Sequence, residues 1–282
     1  MPTIVNALAE ALTSGRALPA MNAPGFDAMV GMSKASHESG EPMVIQTSAR
    51  IVERHGAKAV KAWFDAARTI AGGSCFLHLD HCSDDNTIAA CIAAGWDMVM
   101  FDGSHLSIEE NCARSTSLVN LAHAAGTAVE GEVGPVGGEE DGRSALAQVA
   151  RLEDVELLAT RSGIDCIAVG FGNVHGNYTT TANLRWDVYE RAHAVAQLPL
   201  VLHGGSGLSA AEFHRAIGAG TAKINISTEL KTAYTAVATD PVVIERMRRD
   251  PALIHDGLER AAYDLALRYI SLFRSDRGGT SR

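Results

Sequence analysis

The sequence predicts an α/β fold, a (β/α)8 or TIM barrel with additional C-terminal helices. Eight short apolar, strand-like runs alternate along the chain with segments of helical periodicity. The 282 residues suit this fold, because such barrels use about 250. Polar residues follow nearly every run, as expected where the carboxyl ends of parallel strands meet.

The eight apolar runs give the predicted strands in chain order. They lie at residues 17–21, 43–46, 76–79, 98–101, 128–132, 166–169, 200–202 and 222–226. Residues 51–71 and 108–125 are examples of the helical segments between them. Short apolar strands separated by helices indicate parallel pairing with both faces covered. A doubly wound open sheet is the alternative arrangement.

Residues from about 228 to 275 are mostly helix-forming and longer than one barrel helix requires. Their leucines suit either packing within the chain or contact between subunits: Leu253, Leu258, Leu265 and Leu267. Because no low-complexity linker divides the chain, we expect residues 1–282 to form one domain.

The composition excludes several classes of protein. The net charge of -9 argues against a nucleic-acid partner. The five cysteines are odd in number and lack a C-x-x-C pair, which argues against a disulfide framework or a zinc ribbon. No signal-peptide pattern and no apolar run of about 20 residues is found. We therefore expect a cytoplasmic protein with no membrane segment.

Three histidines lie at or just beyond the ends of strand-like runs: His81, His175 and His203. Neutral imidazole is the commonest zinc ligand, and three protein ligands with an open fourth position are typical of catalytic sites. A single histidine beside an apolar run is more often a core residue. Three at one end of a barrel predict a metal site.

Carboxylates accompany these histidines. Asp80 directly precedes His81 and is placed to exchange protons beside a metal. The alternatives are a carboxylate that only orients an imidazole, or an N-cap for a helix starting near Ser83. Asp102 and Glu132 suit either a second cation or a solvated rim, and Glu130 should share the face of Glu132.

Two loops after the seventh and eighth strands, at residues 204–207 and 225–228, lie where barrels commonly bind phosphate. Gly176 could join them. The stretch at residues 137–142 combines glycines with three carboxylates, which suits either a mobile acid/base loop or, preferred on the residues alone, a solvated acidic turn. Lys223 lies in a strand, which is too little to predict a Schiff base.

Eight motifs occur in one order along the chain: A-M-N at 20–22, H-L-D-H at 78–81, F-D-G-S-H at 101–105, V-E-G-E-V-G at 129–134, G-G-E-E-D at 137–141, V-H-G at 174–176, L-H-G-G-S-G at 202–207 and K-I-N at 223–225. In this combination the sequence resembles the class II, zinc-dependent ketose-bisphosphate aldolases. These include fructose- and tagatose-bisphosphate aldolases.

The resemblance implies roles for particular residues. Catalytic Zn2+ would bind His81, His175 and His203, with a second divalent ion near Asp102 and Glu132. Asp80 and Glu140 would be the acid/base groups. Substrate and its phosphate would contact Asn22, Ser48, Gly176, Gly204, Gly205, Ser206, Asn225, Ile226, Ser227 and Thr228, with a monovalent cation (Na+ or K+) as a further expected ligand.

The implied activity is that of a lyase of carbohydrate metabolism, of the kind found in glycolysis. It would reversibly cleave a ketose 1,6-bisphosphate to dihydroxyacetone phosphate and an aldehyde, as a homo-oligomer (dimer or tetramer).

One departure concerns the aldehyde: relatives carry a D-P-R segment, whereas Ala252 follows Asp250 and Pro251 here. A bidentate phosphate partner is thereby lost, so a ketose 1-phosphate is an alternative substrate. A metal-dependent hydrolase and a catalytically silent binding protein are the alternatives from other classes.

Overall fold

Eight parallel strands close into a barrel in the computed structural model, which describes residues 3–140, 143–176 and 184–274, with the backbone alone for 139, 140 and 143–145. The strands are β1 (Leu18–Asn22), β2 (Met43–Ser48), β3 (Cys75–Cys82), β4 (Met98–Phe101), β5 (Ala128–Val133), β6 (Gly137–Glu140), β7 (Arg143–Ala145), β8 (Cys166–Val169), β9 (Val174–His175), β10 (Leu200–Leu202) and β11 (Thr221–Ile226). The barrel order is β1-β2-β3-β4-β5-β8-β10-β11, with β11 closing on β1. The barrel prediction is confirmed, and the open sheet is excluded.

The described residues form twelve helices: α1 (Ile4–Ser14), α2 (Phe26–Ser39), α3 (Ala49–His55), α4 (Ala57–Ala71), α5 (Asp85–Ala93), α6 (Ile108–Ala124), α7 (Leu152–Ser162), α8 (Trp186–Ala196), α9 (Ala210–Gly218), α10 (Thr228–Thr239), α11 (Pro241–Met247) and α12 (Leu253–Leu272). The helical segment expected at residues 51–71 is confirmed, but it is divided into two helices. Gly56, at φ 85°, separates α3 from α4, a backbone conformation that favours glycine.

The barrel interior has an apolar half and a polar half. Helix α1 packs its buried face, including Leu8, into the amino-terminal end, against strand residues such as Val44, Phe76 and Met98. Burial of side chains of this size stabilises the fold by roughly 1.5–3 kcal/mol each. Polar side chains then occupy the carboxyl end: Asn22, Gln46, His78, Asp80, Glu130, Glu132, Lys223 and Asn225 are all buried. The side chains that can bind a ligand or transfer a proton are therefore concentrated at the carboxyl end of the barrel.

A small sheet of order β7-β6-β9 lies beside the barrel. In it Gly138 pairs with His175 in parallel register, and Glu140 pairs with Arg143 in antiparallel register. The acidic stretch at residues 137–142 thus has strand pairing over Gly137–Glu140, which the sequence patterns did not indicate.

The C-terminal helices occupy most of the predicted extension, whose expected end at 275 lies just outside the described residues. Helix α12 crosses α2 at Gly31, where an added Cβ would lie 2.2 Å from the backbone oxygen of Glu259. On α12, Leu265 is buried, whereas Leu253 is exposed, as are Val242 and Ile244 of α11. Among the described residues no helix is both long and apolar enough to cross a membrane.

Candidate active site

A bulge in β3 brings two adjacent side chains to the carboxyl end of the barrel. Consecutive residues of a regular strand point to opposite faces. Between Leu79 and Cys82, however, the register of β3 with β4 shifts, and His81 has φ 41°, which is uncommon for a residue other than glycine. Asp80 can therefore face the barrel interior while His81 still reaches the other histidines.

The three predicted histidines come together. His203 Nδ1 lies 2.8 Å from His81 Nε2. The rings of His81 and His175 have centroids 5.0 Å apart, and those of His175 and His203 6.1 Å. All three offer ligand nitrogens within 4.8 Å of one another. Each reaches this place from a different part of the chain: His81 from β3, His175 from β9 and His203 directly after β10.

Two carboxylates flank His81 on its other side. Its Nδ1 lies 3.3 Å from Asp102 Oδ2 and 3.6 Å from Glu132 Oε2. Burial, and then the nearby charge of Asp102, raise the pKa of Glu132 to about 8. Burial alone would lower the pKa of His81, but the charge of Asp80 and the contacts with Asp102 and Glu132 raise it well above its usual value. His81, Asp102 and Glu132 together therefore favour the binding of a positive charge, either a proton or a metal ion.

The donor atoms fit a divalent cation. Three imidazole nitrogens are the ligand set of catalytic zinc sites, and carboxylate oxygens suit harder divalent ions. Glu132 Oε2 is buried and has no hydrogen-bond partner among the described residues, a costly state for a carboxylate oxygen that metal ligation would relieve. His81, Asp102 and Glu132 form a second group whose ligand atoms also lie within 4.8 Å.

Asp80 is almost completely buried and is held by two amides. Asn22 donates from Nδ2 to Asp80 Oδ2 at 2.7 Å, and Asn225 donates from Nδ2 to Oδ1 at 3.1 Å. The N-cap alternative for Asp80 is excluded, because Asp84 caps α5 by accepting from the backbone nitrogen of Thr87 at 2.7 Å. Asp80 therefore faces the barrel interior beside His81.

A pocket next to the histidines has the features of an anion site. Its lining consists of His175, Gly176, Gly204, Gly205, Ser206, Asn225, Ser227 and Thr228. Helix α10 begins at Thr228, and the first N–H groups of a helix lack intrahelical partners and attract anions. Gly204, at φ 66°, passes so close to Val174 that an added Cβ would lie 2.4 Å from its backbone oxygen. This loop therefore requires glycine.

Three predicted site residues lie elsewhere or cannot be placed. Ile226 is buried in the apolar layer and does not line the pocket. Ser48 is the last residue of β2 and pairs with Asp80 in the strand register, and it does not line the pocket. The backbone of Glu140 ends β6, but its side chain lies outside the described residues.

The sequence patterns missed a buried ion pair beneath the histidines. Lys223 Nζ donates to Glu130 Oε2 at 2.8 Å, and both side chains are completely buried. The charge of Lys223, with the contact to His203, outweighs burial and lowers the pKa of Glu130. Polar residues at alternate positions of β2, β3, β5 and β11 were the available signal, since such positions share the barrel interior.

Comparison with known proteins identifies the family. The sequence model described as "Fructose-bisphosphate aldolase class-II" matches residues 3–277. The chain belongs to the class II fructose-bisphosphate aldolase family. It is therefore an aldolase, a type of lyase, and aldolases of this class depend on a metal ion.

Similar aldolases differ in their named substrates. A fructose-bisphosphate aldolase of Streptococcus pyogenes serotype M3 is 36% identical over 227 residues, 79% of this chain and 77% of its own length. A 6-phospho-5-dehydro-2-deoxy-D-gluconate aldolase of Bacillus licheniformis is 37% identical over 231 residues, 81% of this chain and 79% of its own. Membership of the class II aldolases therefore does not by itself identify the substrate.

A solved aldolase structure shares the whole architecture. The YdjI aldolase of Escherichia coli K12 superimposes with a TM-score of 0.82 at 26% identity, covering 98% of this chain and 99% of that one. The class II barrel therefore extends over nearly all of this chain.

Proposed function

We propose that this class II aldolase reversibly cleaves a ketose 1,6-bisphosphate of the fructose or tagatose type, giving dihydroxyacetone phosphate and an aldehyde, with zinc as its metal. The observation that carries the proposal is the convergence of His81, His175 and His203 beside buried Asp80 and an anion pocket. Metal-dependent cleavage of a ketose phosphate needs a cation, a proton-transfer group and a phosphate site within one substrate length.

The metal ligands in this proposal are the three histidines, because an all-imidazole set with an open position favours zinc. Asp102 and Glu132, with His81, are proposed to hold a second divalent ion. When bound, the cation supplies Lewis-acid stabilisation of the negative charge that cleavage of the carbon–carbon bond leaves next to the ketone.

The anion pocket is proposed to hold the phosphate of the dihydroxyacetone phosphate half. Backbone groups at Gly176, Gly204 and Gly205 approach closely because no side chains intervene, and Ser206 and Ser227 add hydroxyls. Na+ or K+ beside the phosphate remains part of the proposal. The pocket borders His175, so a phosphate bound there places the adjacent ketone near the histidine cluster.

Asp80 is proposed to take the proton from the C4 hydroxyl during cleavage and to return it during condensation. Its two oxygens accept hydrogen bonds from Asn22 and Asn225, which fix the carboxylate in place. Asn22 and Ser48, both at this side of the barrel end, are proposed to contact the substrate. Glu140 is proposed to move the proton at the carbon of the dihydroxyacetone phosphate half.

The aldehyde half is the variable part of the proposal. Ala252, after Asp250 and Pro251, cannot bind a distal phosphate as an arginine would. This residue favours a second candidate, cleavage of a ketose 1-phosphate whose aldehyde carries no phosphate.

The test is release of dihydroxyacetone phosphate from fructose 1,6-bisphosphate, tagatose 1,6-bisphosphate and fructose 1-phosphate. Each assay is run before chelation, after chelation and after zinc is returned. Zinc-restored cleavage of a bisphosphate supports the first candidate, and a preference for fructose 1-phosphate supports the second. A purified protein that binds neither zinc nor dihydroxyacetone phosphate would contradict both.

We also propose that this one-domain aldolase is a cytoplasmic homo-oligomer, a dimer or tetramer. Val242, Ile244 and Leu253 expose apolar side chains on α11 and at the start of α12, a pattern typical of subunit contacts. Sedimentation of the purified chain tests the assembly, and a monomer at all concentrations would contradict it.

A further inference from the structure

Lys223 is a completely buried cation inside the barrel, below the proposed metal site. Its Nζ donates to Glu130 Oε2 and to Asn225 Oδ1, each at 2.8 Å. An ammonium group has donors only, and a buried charge is tolerated only when it is paired and hydrogen-bonded. The proposed reaction gives Lys223 no contact with substrate.

The contact with Asn225 determines which way that amide faces. Because Lys223 only donates, the amide oxygen of Asn225 must point toward it. The amide nitrogen then points the other way, where it donates to Asp80 Oδ1 at 3.1 Å. Lys223 thus presents an N–H group to the proposed acid/base residue without touching it.

The hydrogen bond from Lys223 to Glu130 determines which nitrogen of His203 carries the hydrogen. Glu130 Oε1 lies 2.7 Å from His203 Nε2, while its other oxygen accepts from Lys223. A carboxylate paired with an ammonium can only accept, so His203 Nε2 carries the hydrogen. In the neutral ring this leaves the lone pair on Nδ1, the nitrogen that faces His81 at 2.8 Å.

A second chain of amides holds Asp80 from the opposite side. Asn22 donates to Asp80 at 2.7 Å, and Gln46 Nε2 donates to Asn22 Oδ1 at 2.7 Å. The oxygen of Gln46 then faces His78 Nδ1 at 3.3 Å. In this second series of amides the N–H groups of Asn22 and Gln46 also point toward Asp80, and neither side chain accepts a hydrogen bond from Lys223.

We infer that Lys223 is a positioning residue that orients Asn225 toward Asp80 and, through Glu130, fixes the tautomer of His203 with Nδ1 available to the metal. The inference rests on the proposed function, which assigns His203 to the metal and Asp80 to proton transfer. Hydrogen-bonded partners of metal-binding histidines typically change metal affinity by 10- to 100-fold when they are replaced.

The experiment compares Lys223→Met, Glu130→Gln and the double variant with the wild-type chain. Met has nearly the length of Lys but leaves Glu130 as an uncompensated buried carboxylate. The double variant removes both charges, and the amide oxygen that Glu130→Gln introduces can still accept from His203. The matched control is Tyr189→Phe, which removes another completely buried hydrogen bond, 2.8 Å long, to Thr221 at the start of the same strand β11.

Five properties are measured: zinc affinity by chelator competition, the absorption spectrum of the Co2+-loaded protein, kcat, KM and Tm. Lys223→Met should weaken zinc binding at least tenfold, change the Co2+ spectrum and lower kcat more than it raises KM. The double variant should recover zinc affinity and the spectrum but not kcat, because Asn225 still lacks its orienting donor. Tyr189→Phe should lower Tm alone.

A purely structural role for Lys223 predicts a different pattern. Lys223→Met, or the double variant if the single one does not fold, would then lower Tm while keeping wild-type zinc affinity, Co2+ spectrum and kcat, and that result overturns the inference. If the wild-type chain cleaves no ketose phosphate, the proposed function fails by itself, and the zinc and Co2+ measurements on Lys223→Met still decide whether Lys223 fixes the tautomer of His203.

Discussion

The side-chain nitrogen of Asn22 lies 2.7 Å from Oδ2 of Asp80, so one amide from the first barrel strand holds a carboxylate from the third. Asn225 from the last strand holds the other carboxylate oxygen. Three strands that are far apart in sequence therefore fix the orientation of one carboxylate. Such fixed geometry is what a proton-transfer group needs, and it makes the contribution of Asp80 testable.

Asp80→Ala should lower kcat by about 10²- to 10⁴-fold, the usual contribution of a positioned acid/base group. Zinc content and binding of inorganic phosphate should stay near wild type, because Asp80 belongs neither to the metal-binding groups nor to the pocket lining. Steady-state cleavage, metal analysis and phosphate titration measure the three properties. Unchanged cleavage would remove Asp80 from the mechanism.

Gly204→Ala should abolish phosphate binding, because the new Cβ would lie 2.4 Å from a backbone oxygen at a φ that alanine rarely adopts. Gly218→Ala is the matched control, since an added Cβ there has nothing within 4 Å. Binding of dihydroxyacetone phosphate by calorimetry should be lost in the first variant and kept in the second. Equal affinity in both would show that the pocket is not the phosphate site.

Metal-free protein should become less stable as the pH rises from about 6.5 to 8. Glu132 has a pKa of about 8 when folded against an ordinary value of 4.5, so the folded chain holds an extra proton in this window. Its stabilising contribution is present below pH 4.5 and is lost as the pH rises through 8, and the raised pKa of His81 acts with the same sign above 6.5. Burial lowers the pKa of His78 and of His203, which act with the opposite sign below 6.5, so the window starts there.

The measurement is Tm in the presence of chelator across this pH range. Glu132→Gln should reduce the slope, because a glutamine does not titrate. Zinc affinity of the wild-type chain should instead rise with pH, since the metal competes with protons for the same ligands. A slope that is identical in Glu132→Gln would show that Glu132 is not the titrating group.

Gly31→Ala should destabilise the chain by about 1–3 kcal/mol, the usual cost of overpacking. The added methyl group would force α2 away from α12, where the backbone oxygen of Glu259 lies 2.2 Å from the Cβ position. Urea unfolding measures this loss. At a temperature where the variant is folded, kcat should be unchanged, because Gly31 packs against α12 and belongs neither to the metal-binding groups nor to the pocket lining. A large loss of kcat would indicate that this crossing also shapes the site.

The sequence was most informative where one local pattern determines one element. All eight barrel strands were predicted, and the structure brings His81, His175 and His203 together as their positions after those strands indicated. The aldolase family, reached through the order of the motifs, is confirmed by comparison. Parallel strands bring their carboxyl ends together, so position along each strand translates directly into position in space.

Features that depend on contacts between distant strands were not predicted. The bulge at His81 is visible only against the register of β4, and the pair of Lys223 with Glu130 joins strands 93 residues apart. Ile226 was grouped with its polar neighbours, yet alternation along β11 turns it into the apolar layer. The division of residues 51–71 at Gly56 was missed because the apolar spacing continues across it.

The pairing of Gly138 with His175 joins the acidic strand β6 to a histidine of the proposed metal site. Gly138, at φ 94°, lies so close that a Cβ would be 2.4 Å from the backbone oxygen of His175. Metal binding that fixes the position of His175 should therefore also stabilise the strand that carries Glu140. If the metal raises the affinity for a substrate that contacts this strand, that substrate must raise the affinity for the metal by the same factor, because coupling between two binding sites is reciprocal.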